Sequence, residues 1–247
     1  MTTTSTIAEQ VADHHRASAG QLPAGIAEAF AAEQRTLAAA GDPPGVAQPG
    51  TRLPDGELLD VAGRPASLAE ALGGKPAVIV FYRGAWCPYC NIALRTYQGQ
   101  LVPALTARGI SLIAVSPQTP DGSLSTKQTK ELTFTVLSDP GNQIARQLGI
   151  LTAPSDGVQA ANLQLGLDLT QVNADGTTGL PMPTVIIADA AGVIRWIDVH
   201  LDYTARTEPG QILQAITQIA SGRAHRRLAA TEQREPKGIH DVIYHRP

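Results

Sequence analysis

The sequence predicts an α/β fold with a mixed central sheet, helices on both faces of that sheet and a helical extension at the N-terminus. Short apolar runs that are typical of buried strands alternate with helical segments along the middle of the chain. Two late runs, TVIIAD and VIRWIDV, flank a turn at AAG and indicate an antiparallel hairpin, which makes the sheet mixed. Right-handed crossovers between the earlier strands place helices on both faces.

The middle of the chain supplies these elements in order. The predicted strands before the hairpin are AVIVFY, SLIAVS and FTVLSD. The predicted helices are a segment from Cys87 to about Ala107, then DGSLSTKQTKEL, PGNQIARQLGI and EPGQILQAITQIA. Together these segments define one predicted domain, residues 46–221.

The two ends of the chain have a different character. Residues 1–45 are predicted to form an N-terminal helical extension, because apolar residues from Leu22 to Leu37 recur at helical spacing between Pro23 and Gly41. This single amphipathic helix is expected to serve packing or dimer contact. Residues 222–247 are polar and mildly basic, which predicts a flexible tail or a short docking segment.

Composition excludes several classes of function. The chain has 247 residues, is 43% hydrophobic and carries a formal net charge of −3, which gives no reason to expect nucleic acid or an anionic membrane as a partner. No apolar run approaches the ~18 residues of a membrane-spanning helix. The N-terminus lacks the basic and then apolar pattern of a secretory signal, so we expect a cytoplasmic protein.

The only two cysteines, Cys87 and Cys90, stand directly after the predicted strand AVIVFY. Cys87 is expected at the helix N-cap, Pro88 at the first helical position and Cys90 near the end of the first turn, so that the two sulfurs can approach bonding distance. Unpaired backbone N–H groups and the helix dipole stabilise a thiolate at this end of a helix. A second thiol within reach can resolve a sulfenic acid or a mixed disulfide, so the pair predicts a redox-active dithiol.

The two cysteines also allow two other interpretations. A structural zinc site needs four ligands, and the six histidines do not stand at ligand spacing, apart from the adjacent His14 and His15. In the second interpretation, both cysteines are buried side chains without redox activity. No glycine-rich phosphate-binding motif is present, so neither a metal nor a cofactor is predicted.

The segment around the cysteines and two later segments resemble a known family. FYRGAWCPYC resembles the active-site strand and helix of thioredoxin-fold proteins, and VLSDPGNQIARQLGI is similar to a segment of peroxiredoxins of the alkyl hydroperoxide reductase/thiol-specific antioxidant type. MPTVIIADAAGVIRW resembles the cis-proline strand and hairpin of the same superfamily. The resemblance covers about residues 50–220, and it implies a thioredoxin-like fold and a thiol peroxidase that an external thiol regenerates.

The resemblance leaves the attacking cysteine open. In register with peroxiredoxins, Cys90 attacks the peroxide, but Arg83 and Cys87 replace the Pro and Thr of the family's Pro-x-x-x-Thr-x-x-Cys motif. The family's later active-site arginine falls on Pro183, and Arg83 is a candidate replacement for its charge. In register with thioredoxin, Cys87 is the exposed attacking thiol and Cys90 resolves the intermediate.

The thioredoxin resemblance also implies a substrate-binding surface. It makes Pro183 a cis-proline that faces the cysteines, with Met182 before it and Thr184 after it, and leaves the Met182 backbone free to pair with a thiol substrate. Trp86 is expected to pack beside the thiols and to line the pocket. The later segment WIDVHLDYTARTEP contains a triad-like set of side chains, but it is expected to be a solvated loop before a capped helix. Its members are Asp198, His200, Asp202, Tyr203 and Arg206.

The sequence therefore predicts a thioredoxin-dependent, peroxiredoxin-type peroxidase that reduces hydrogen peroxide or organic hydroperoxides through Cys87 and Cys90. The expected partners are the peroxide and a reductant, which is thioredoxin, glutaredoxin or a small thiol. Two alternatives remain: a thiol–disulfide oxidoreductase that acts on protein disulfides, and a redox-inactive interaction module. The first helix and the sheet edge are candidate surfaces for a homodimer.

Overall fold

The computed structural model describes residues 5–41, 43–129, 131–222 and 227–228, so most of the predicted C-terminal tail lies outside the described residues. The strands are β1 (Leu58–Leu59), β2 (Pro65–Ala66), β3 (Ala77–Phe81), β4 (Ser111–Ser116), β5 (Thr135–Ser138), β6 (Leu151–Thr152), β7 (Leu180–Pro181), β8 (Thr184–Ala188), β9 (Ile194–Val199) and β10 (Arg227–Leu228). The helices are α1 (Ile7–Ser18), α2 (Ala24–Ala40), α3 (Leu68–Leu72), α4 (Pro88–Thr96), α5 (Val102–Thr106), α6 (Pro120–Thr129), α7 (Gln143–Gln147), α8 (Asp156–Gln164), α9 (Leu169–Val172) and α10 (Pro209–Ala220).

The central sheet is mixed, as predicted. Its strand order is β10-β9-β8-β3-β4-β5-β1-β2, while β6 and β7 form a separate antiparallel pair. Strand β3 pairs in parallel with β4 and antiparallel with β8, and β8 and β9 form the predicted hairpin. Strand β3 therefore lies between two other strands, and the residues that follow it leave the sheet near its middle.

Side chains of β3 alternate between two hydrophobic cores, one on each face of the sheet. Val78 and Val80 belong to the core that α4, α5 and α10 cover, together with α1. Ile79 and Phe81 belong to the opposite core, which α3 and α7 cover. The predicted arrangement of helices on both faces is confirmed.

The N-terminal extension contains two helices where the sequence predicted one. Helix α2 corresponds to the predicted helix, and α1 precedes it. Thr6 caps α1 through a hydrogen bond from the Glu9 N–H, and the Glu9 carboxylate accepts from the Thr6 N–H, which is a capping box. Ile7 and Val11 of α1 are buried in the core that contains α4. None of the described helices is both long and apolar enough to cross a membrane.

The long helix predicted from Cys87 is divided into α4, a π-helical turn at Tyr97–Leu101 and α5. Pro103 lies in the first turn of α5 and has no N–H to donate to the carbonyl of Gly99, so regular α-helical hydrogen bonding cannot continue there. The π-helical turn places Tyr97 with its side chain fully buried. That side chain contributes to the site described below.

Candidate active site

The two cysteines occupy the start of α4 as predicted. Cys87 is the N-cap residue, Pro88 is the first helical residue and Cys90 lies in the first turn. Both side chains are buried, with 1% and 0% of their surface exposed, and both are free thiols. The Cys87 N–H donates to the carbonyl of Gly84 over 3.2 Å, but the Cys87 sulfur makes no capping hydrogen bond.

The guanidinium of Arg206 lies against both sulfurs. Its Nη2 is 3.0 Å from the Sγ of Cys90 and 3.7 Å from the Sγ of Cys87. Its Nη1 donates to the backbone carbonyls of Tyr203 and Ala205, each over 2.6 Å. The expectation of a solvated loop is therefore wrong for Arg206, because the residues after β9 fold back over the start of α4 and bring this side chain to the dithiol.

The environment of the sulfurs moves their pKa values in opposite directions. Burial raises the pKa of Cys90, but a hydrogen bond from Cys87, the charge of Arg206, and the Arg83 N–H, 3.4 Å away, together lower that pKa well below its ordinary value. Burial raises the pKa of Cys87, and the adjacent Cys90 raises it further. These directions favour Cys90 as the sulfur that carries the negative charge and Cys87 as the sulfur that keeps its proton.

A buried polar cluster fixes the residue after Arg206. The Thr207 hydroxyl donates to the Asp198 carboxylate over 2.9 Å, and the Nε2 of His200 lies 3.2 Å from that carboxylate. The Tyr97 hydroxyl donates to the Thr207 carbonyl over 2.7 Å, and burial raises the pKa of Tyr97, so this hydroxyl keeps its proton. Asp198 and His200 belong to the triad-like set of side chains that the sequence contains. In the structure they anchor the loop that carries Arg206.

Arg83 contacts Cys90 through its backbone, and its side chain is held by two aromatic rings. The guanidinium carbon lies 5.0 Å from the ring centre of Trp86 and 4.3 Å from that of Tyr203, and the residue is 7% exposed. Gly84 makes this packing possible, because a Cβ there would lie 2.5 Å from the Nε1 of Trp86 and the φ of Gly84 is +148°. Trp86 thus packs on Arg83 and close to Gly84, in the turn that precedes the thiols.

A pocket of about 290 Å³ opens beside Arg83. Its wall is formed by α2, the segment 152–155, β7 with the two residues after it, and the loop after β9. Met182 and Pro183 line this pocket, but neither cysteine, Trp86 nor Thr184 does. Thr184 is buried, and its hydroxyl donates to the Met182 carbonyl over 2.9 Å.

Two expectations about Pro183 and its neighbour are wrong. The peptide bond before Pro183 is trans, since the described residues contain no cis peptide bond. The Met182 N–H is also not free for a substrate, because it donates to the carbonyl of Ile150 over 2.8 Å. The reason is the pairing of β6 with β7, which covers the strand edge that the sequence left open.

The adjacent histidines, His14 and His15, pack on Tyr89, one of the two residues between the cysteines. Both rings meet the ring of Tyr89 edge to face, and the Nε2 of His15 lies 3.0 Å from the Tyr89 hydroxyl. Within the part of the chain that the structure describes, no group of three or more His, Cys, Asp or Glu side chains is arranged to hold a metal ion. The contacts of His14 and His15 with Tyr89 place helix α1 over the C-x-x-C segment of α4.

Sequence reasoning missed Arg206 as a site residue and α1 as a helix. The register with the family placed the family's active-site arginine at Pro183, directly before β8. In the structure, the arginine that contacts the sulfurs is Arg206, which lies in the loop after the hairpin. No local motif marks Arg206. Helix α1 carried a signal, since Thr6 and Glu9 form a capping box that directly precedes apolar residues at helical spacing.

Known proteins are similar in sequence to the central part of the chain. Residues 49–197 match the model of the AhpC/TSA family. The Haemophilus influenzae protein named "Putative peroxiredoxin bcp" is 33% identical over 104 residues, which cover 41% of this chain and 64% of that protein. The chloroplastic peroxiredoxin Q of Sedum lineare is 30% identical over 107 residues, which cover 43% of this chain and 55% of that protein. The matched part is thus less than two thirds of each relative.

Solved structures agree in fold. The reduced Prx3 of Vibrio vulnificus in complex with hydrogen peroxide superposes with a TM-score of 0.56 at 20% identity and covers 69% of this chain and 99% of its own. The peroxidoxin BcpB of Mycobacterium tuberculosis superposes with a TM-score of 0.52 at 17% identity and covers 71% of this chain and 98% of its own. Because the family model spans more than half of the chain and includes both cysteines, the chain belongs to the AhpC/TSA family.

Proposed function

We propose that this protein is a thiol peroxidase in which Cys90 attacks the peroxide and Cys87 resolves the product. The observation that carries the proposal is the contact of 3.0 Å between Arg206 and the Cys90 sulfur, in a site where the pKa of Cys90 is lowered and that of Cys87 is raised. A thiolate is the nucleophilic form of cysteine. Of the two registers that the sequence left open, this geometry supports the peroxiredoxin register.

In the first step, the Cys90 thiolate attacks the terminal oxygen of the hydroperoxide. An S–O bond forms, the O–O bond breaks, and the alkoxide or hydroxide that leaves takes up a proton to become an alcohol or water. Cys90 is then a sulfenic acid. Arg206 lies where negative charge is redistributed from sulfur to oxygen, so its guanidinium is placed to stabilise the transition state.

In the second step, Cys87 attacks the sulfenic sulfur of Cys90. The Cys87–Cys90 disulfide forms, and the hydroxyl group leaves as water with the proton from the Cys87 thiol. The partners already lie one helical turn apart and share a hydrogen bond, so no large movement of the backbone is required. An external thiol then reduces the disulfide.

Arg83 is proposed to assist Cys90 in this cycle. Its N–H donates to the Cys90 sulfur, and its charge lowers the pKa of Cys90. Trp86 is proposed to hold the Arg83 side chain in place, while Met182 and Pro183 line the approach and Thr184 fixes the Met182 carbonyl. The cytoplasmic location, the thioredoxin or glutaredoxin partners and the homodimer remain predictions.

Purified, reduced protein tests the proposal. Rapid-mixing measurements with hydrogen peroxide and with an alkyl hydroperoxide should show stoichiometric consumption of peroxide, and mass spectrometry should show loss of two hydrogens as the disulfide forms. Little reduction of insulin disulfides is expected, because both sulfurs are buried and the Met182 N–H is occupied. Fast insulin reduction with slow peroxide consumption would instead identify a thiol–disulfide oxidoreductase.

A further inference from the structure

The pocket beside the dithiol is lined by two buried side chains of opposite charge, and the described residues form no ion pair with either of them. Arg83 and Glu33, 7% and 9% exposed, both line the pocket. Among the described residues, the Arg83 guanidinium makes no hydrogen bond or ion pair and rests on the rings of Trp86 and Tyr203. The Glu33 carboxylate accepts one hydrogen bond, from the Ser155 N–H over 2.7 Å, and has no cationic partner there. Burial of an unpaired charge is costly, so this arrangement suits a ligand that brings both opposite charges.

We propose that this pocket binds the small thiol that reduces the Cys87–Cys90 disulfide, and that this thiol carries an amino-acid head group. Its carboxylate would pair with Arg83 and its ammonium group with Glu33. The proposal rests on the proposed function, because it assigns the reductant of the same cycle. The pocket volume of about 290 Å³ is at the small end of ligand sites, which favours a short molecule over the extended segment of a protein.

The surroundings of the sulfurs also favour a small reductant. Both sulfurs are buried, and α1 lies over the segment between them. The pocket is connected to the sulfurs by two of its own wall residues, since the Arg83 N–H donates to Cys90 and the Tyr203 carbonyl accepts from Arg206. Arg83 and Tyr203 therefore belong both to the pocket wall and to the immediate surroundings of the dithiol.

Oxidation of the dithiol changes the charge that Arg83 faces. In the reduced protein, the Cys90 thiolate is the anion near the guanidiniums of Arg206 and Arg83. Formation of the disulfide removes that negative charge, so Arg83 loses the anion that it faces on the side of the sulfurs. A carboxylate then gains more from binding to Arg83. The oxidised protein is accordingly the form that binds the reductant more tightly.

The reduction consumes two thiols and balances. The thiolate of the bound molecule attacks the Cys87 sulfur, a mixed disulfide forms, and the Cys87–Cys90 bond breaks with its electron pair on Cys90. Because the pKa of Cys90 is lowered, Cys90 is the better leaving group. A second thiolate attacks the ligand sulfur, releases the symmetrical disulfide and leaves Cys87 to take up a proton.

Four thiols test the head group: cysteine, 3-mercaptopropionate, which lacks the ammonium group, cysteamine, which lacks the carboxylate, and 2-mercaptoethanol, which lacks both. The protein is first oxidised with diamide, so a failure to react with peroxide would leave this test intact. Rates of disulfide reduction are measured at rising thiol concentration and corrected for the thiolate fraction of each thiol. We expect saturation with cysteine and a rate per thiolate at least about tenfold above the other three.

A matched pair of variants locates the site. Glu33→Gln keeps an oxygen for the Ser155 N–H but removes the charge, so the cysteine rate should fall about tenfold, to the level of 3-mercaptopropionate. Glu28→Gln, on the exposed side of the same helix, should change nothing. Equal rates per thiolate for all four thiols without saturation, an unaltered cysteine rate in Glu33→Gln, or faster reduction by thioredoxin than by cysteine would each overturn the proposal.

Discussion

Cys87 and Cys90 lie one helical turn apart and are equally buried, yet their environments favour opposite protonation states. Cys87 occupies the N-cap, where the helix dipole favours a negative charge, but its sulfur makes no capping hydrogen bond. Cys90 lies further into the helix and receives a backbone N–H and the closer contact from Arg206. Direct donors to the sulfur therefore outweigh position along the helix dipole.

The largest difference between the two sulfurs should appear when each is removed in turn. Cys90→Ser should abolish peroxide-dependent turnover, because the only lowered-pKa thiol in the site is lost. Cys87→Ser should still consume one equivalent of peroxide and accumulate a sulfenic acid on Cys90, which dimedone labelling and mass spectrometry detect. Dimedone labelling of Cys87 in Cys90→Ser at the wild-type rate would reverse the assignment of roles.

Removal of Arg206 should make the pKa and the reactivity of Cys90 more like those of Cys87. Arg206→Met is expected to raise the pKa of Cys90 and to slow peroxide oxidation by about 10²- to 10³-fold, because one preorganised cationic donor is lost from the reacting centre. The ultraviolet absorbance of the thiolate against pH measures the first effect, and rapid mixing with peroxide measures the second. Arg195→Met is the control, since Arg195 pairs with Asp189 at the surface of β9. Equal rates for both variants would remove Arg206 from the mechanism.

Loosening the anchor behind Arg206 should have a smaller effect. Thr207→Val removes the hydroxyl that donates to Asp198, which is expected to lower the free energy of unfolding by about 1–3 kcal/mol and to slow oxidation by about tenfold. Denaturant titration and rapid mixing give the two values. Thr204→Val, which removes a hydrogen bond to Asp202 in the same loop, should leave the rate unchanged. A thiolate titration identical to wild type in Thr207→Val would show that this anchor does not position Arg206.

The smallest effect concerns pH. Since the pKa of Cys90 is lowered, its oxidation rate should change less than about twofold between neutral pH and the ordinary thiol pKa of about 8.5. In that range the unfolded chain holds a proton on Cys90 that the folded chain lacks, so the free energy of unfolding rises with pH, by at most about 1.4 kcal/mol per pH unit. This contribution is lost as pH falls through the lowered pKa.

Above the ordinary thiol pKa the sign reverses. There the raised pKa of Cys87 keeps a proton in the folded chain that the unfolded chain has released, so stability falls as pH rises. Denaturation of the wild type and of Cys90→Ser at several pH values isolates the first effect. The same pH dependence in both proteins would contradict a lowered pKa for Cys90.

Local sequence patterns predicted the parts of the fold that depend on nearby residues. The strand before the cysteines, the N-cap position of Cys87 and the late hairpin all follow from apolar runs, proline position and turn residues, and all are confirmed. The approach of Arg206 to the sulfurs depends on how a loop folds back across the sheet. No periodicity in that loop encodes such a contact between residues distant in sequence.

The prediction of the substrate-binding surface was wrong for a related reason. The resemblance to thioredoxin predicted an open strand edge at Met182, but that edge is paired because β6 and β7 come together from distant parts of the chain. The wall that α2 contributes to the pocket is also set by tertiary packing. The amphipathic pattern predicted the helix and left its location open.

The segment that matches the family ends at residue 197, and this boundary has a practical consequence. A recombinant fragment trimmed to the matched residues would retain both cysteines and most of the sheet, yet it would discard Arg206, the Thr207 anchor and both N-terminal helices. Such a fragment would keep Cys90, Cys87 and Arg83 but lose the guanidinium that contacts both sulfurs. Assays intended to describe this protein should begin from the full chain.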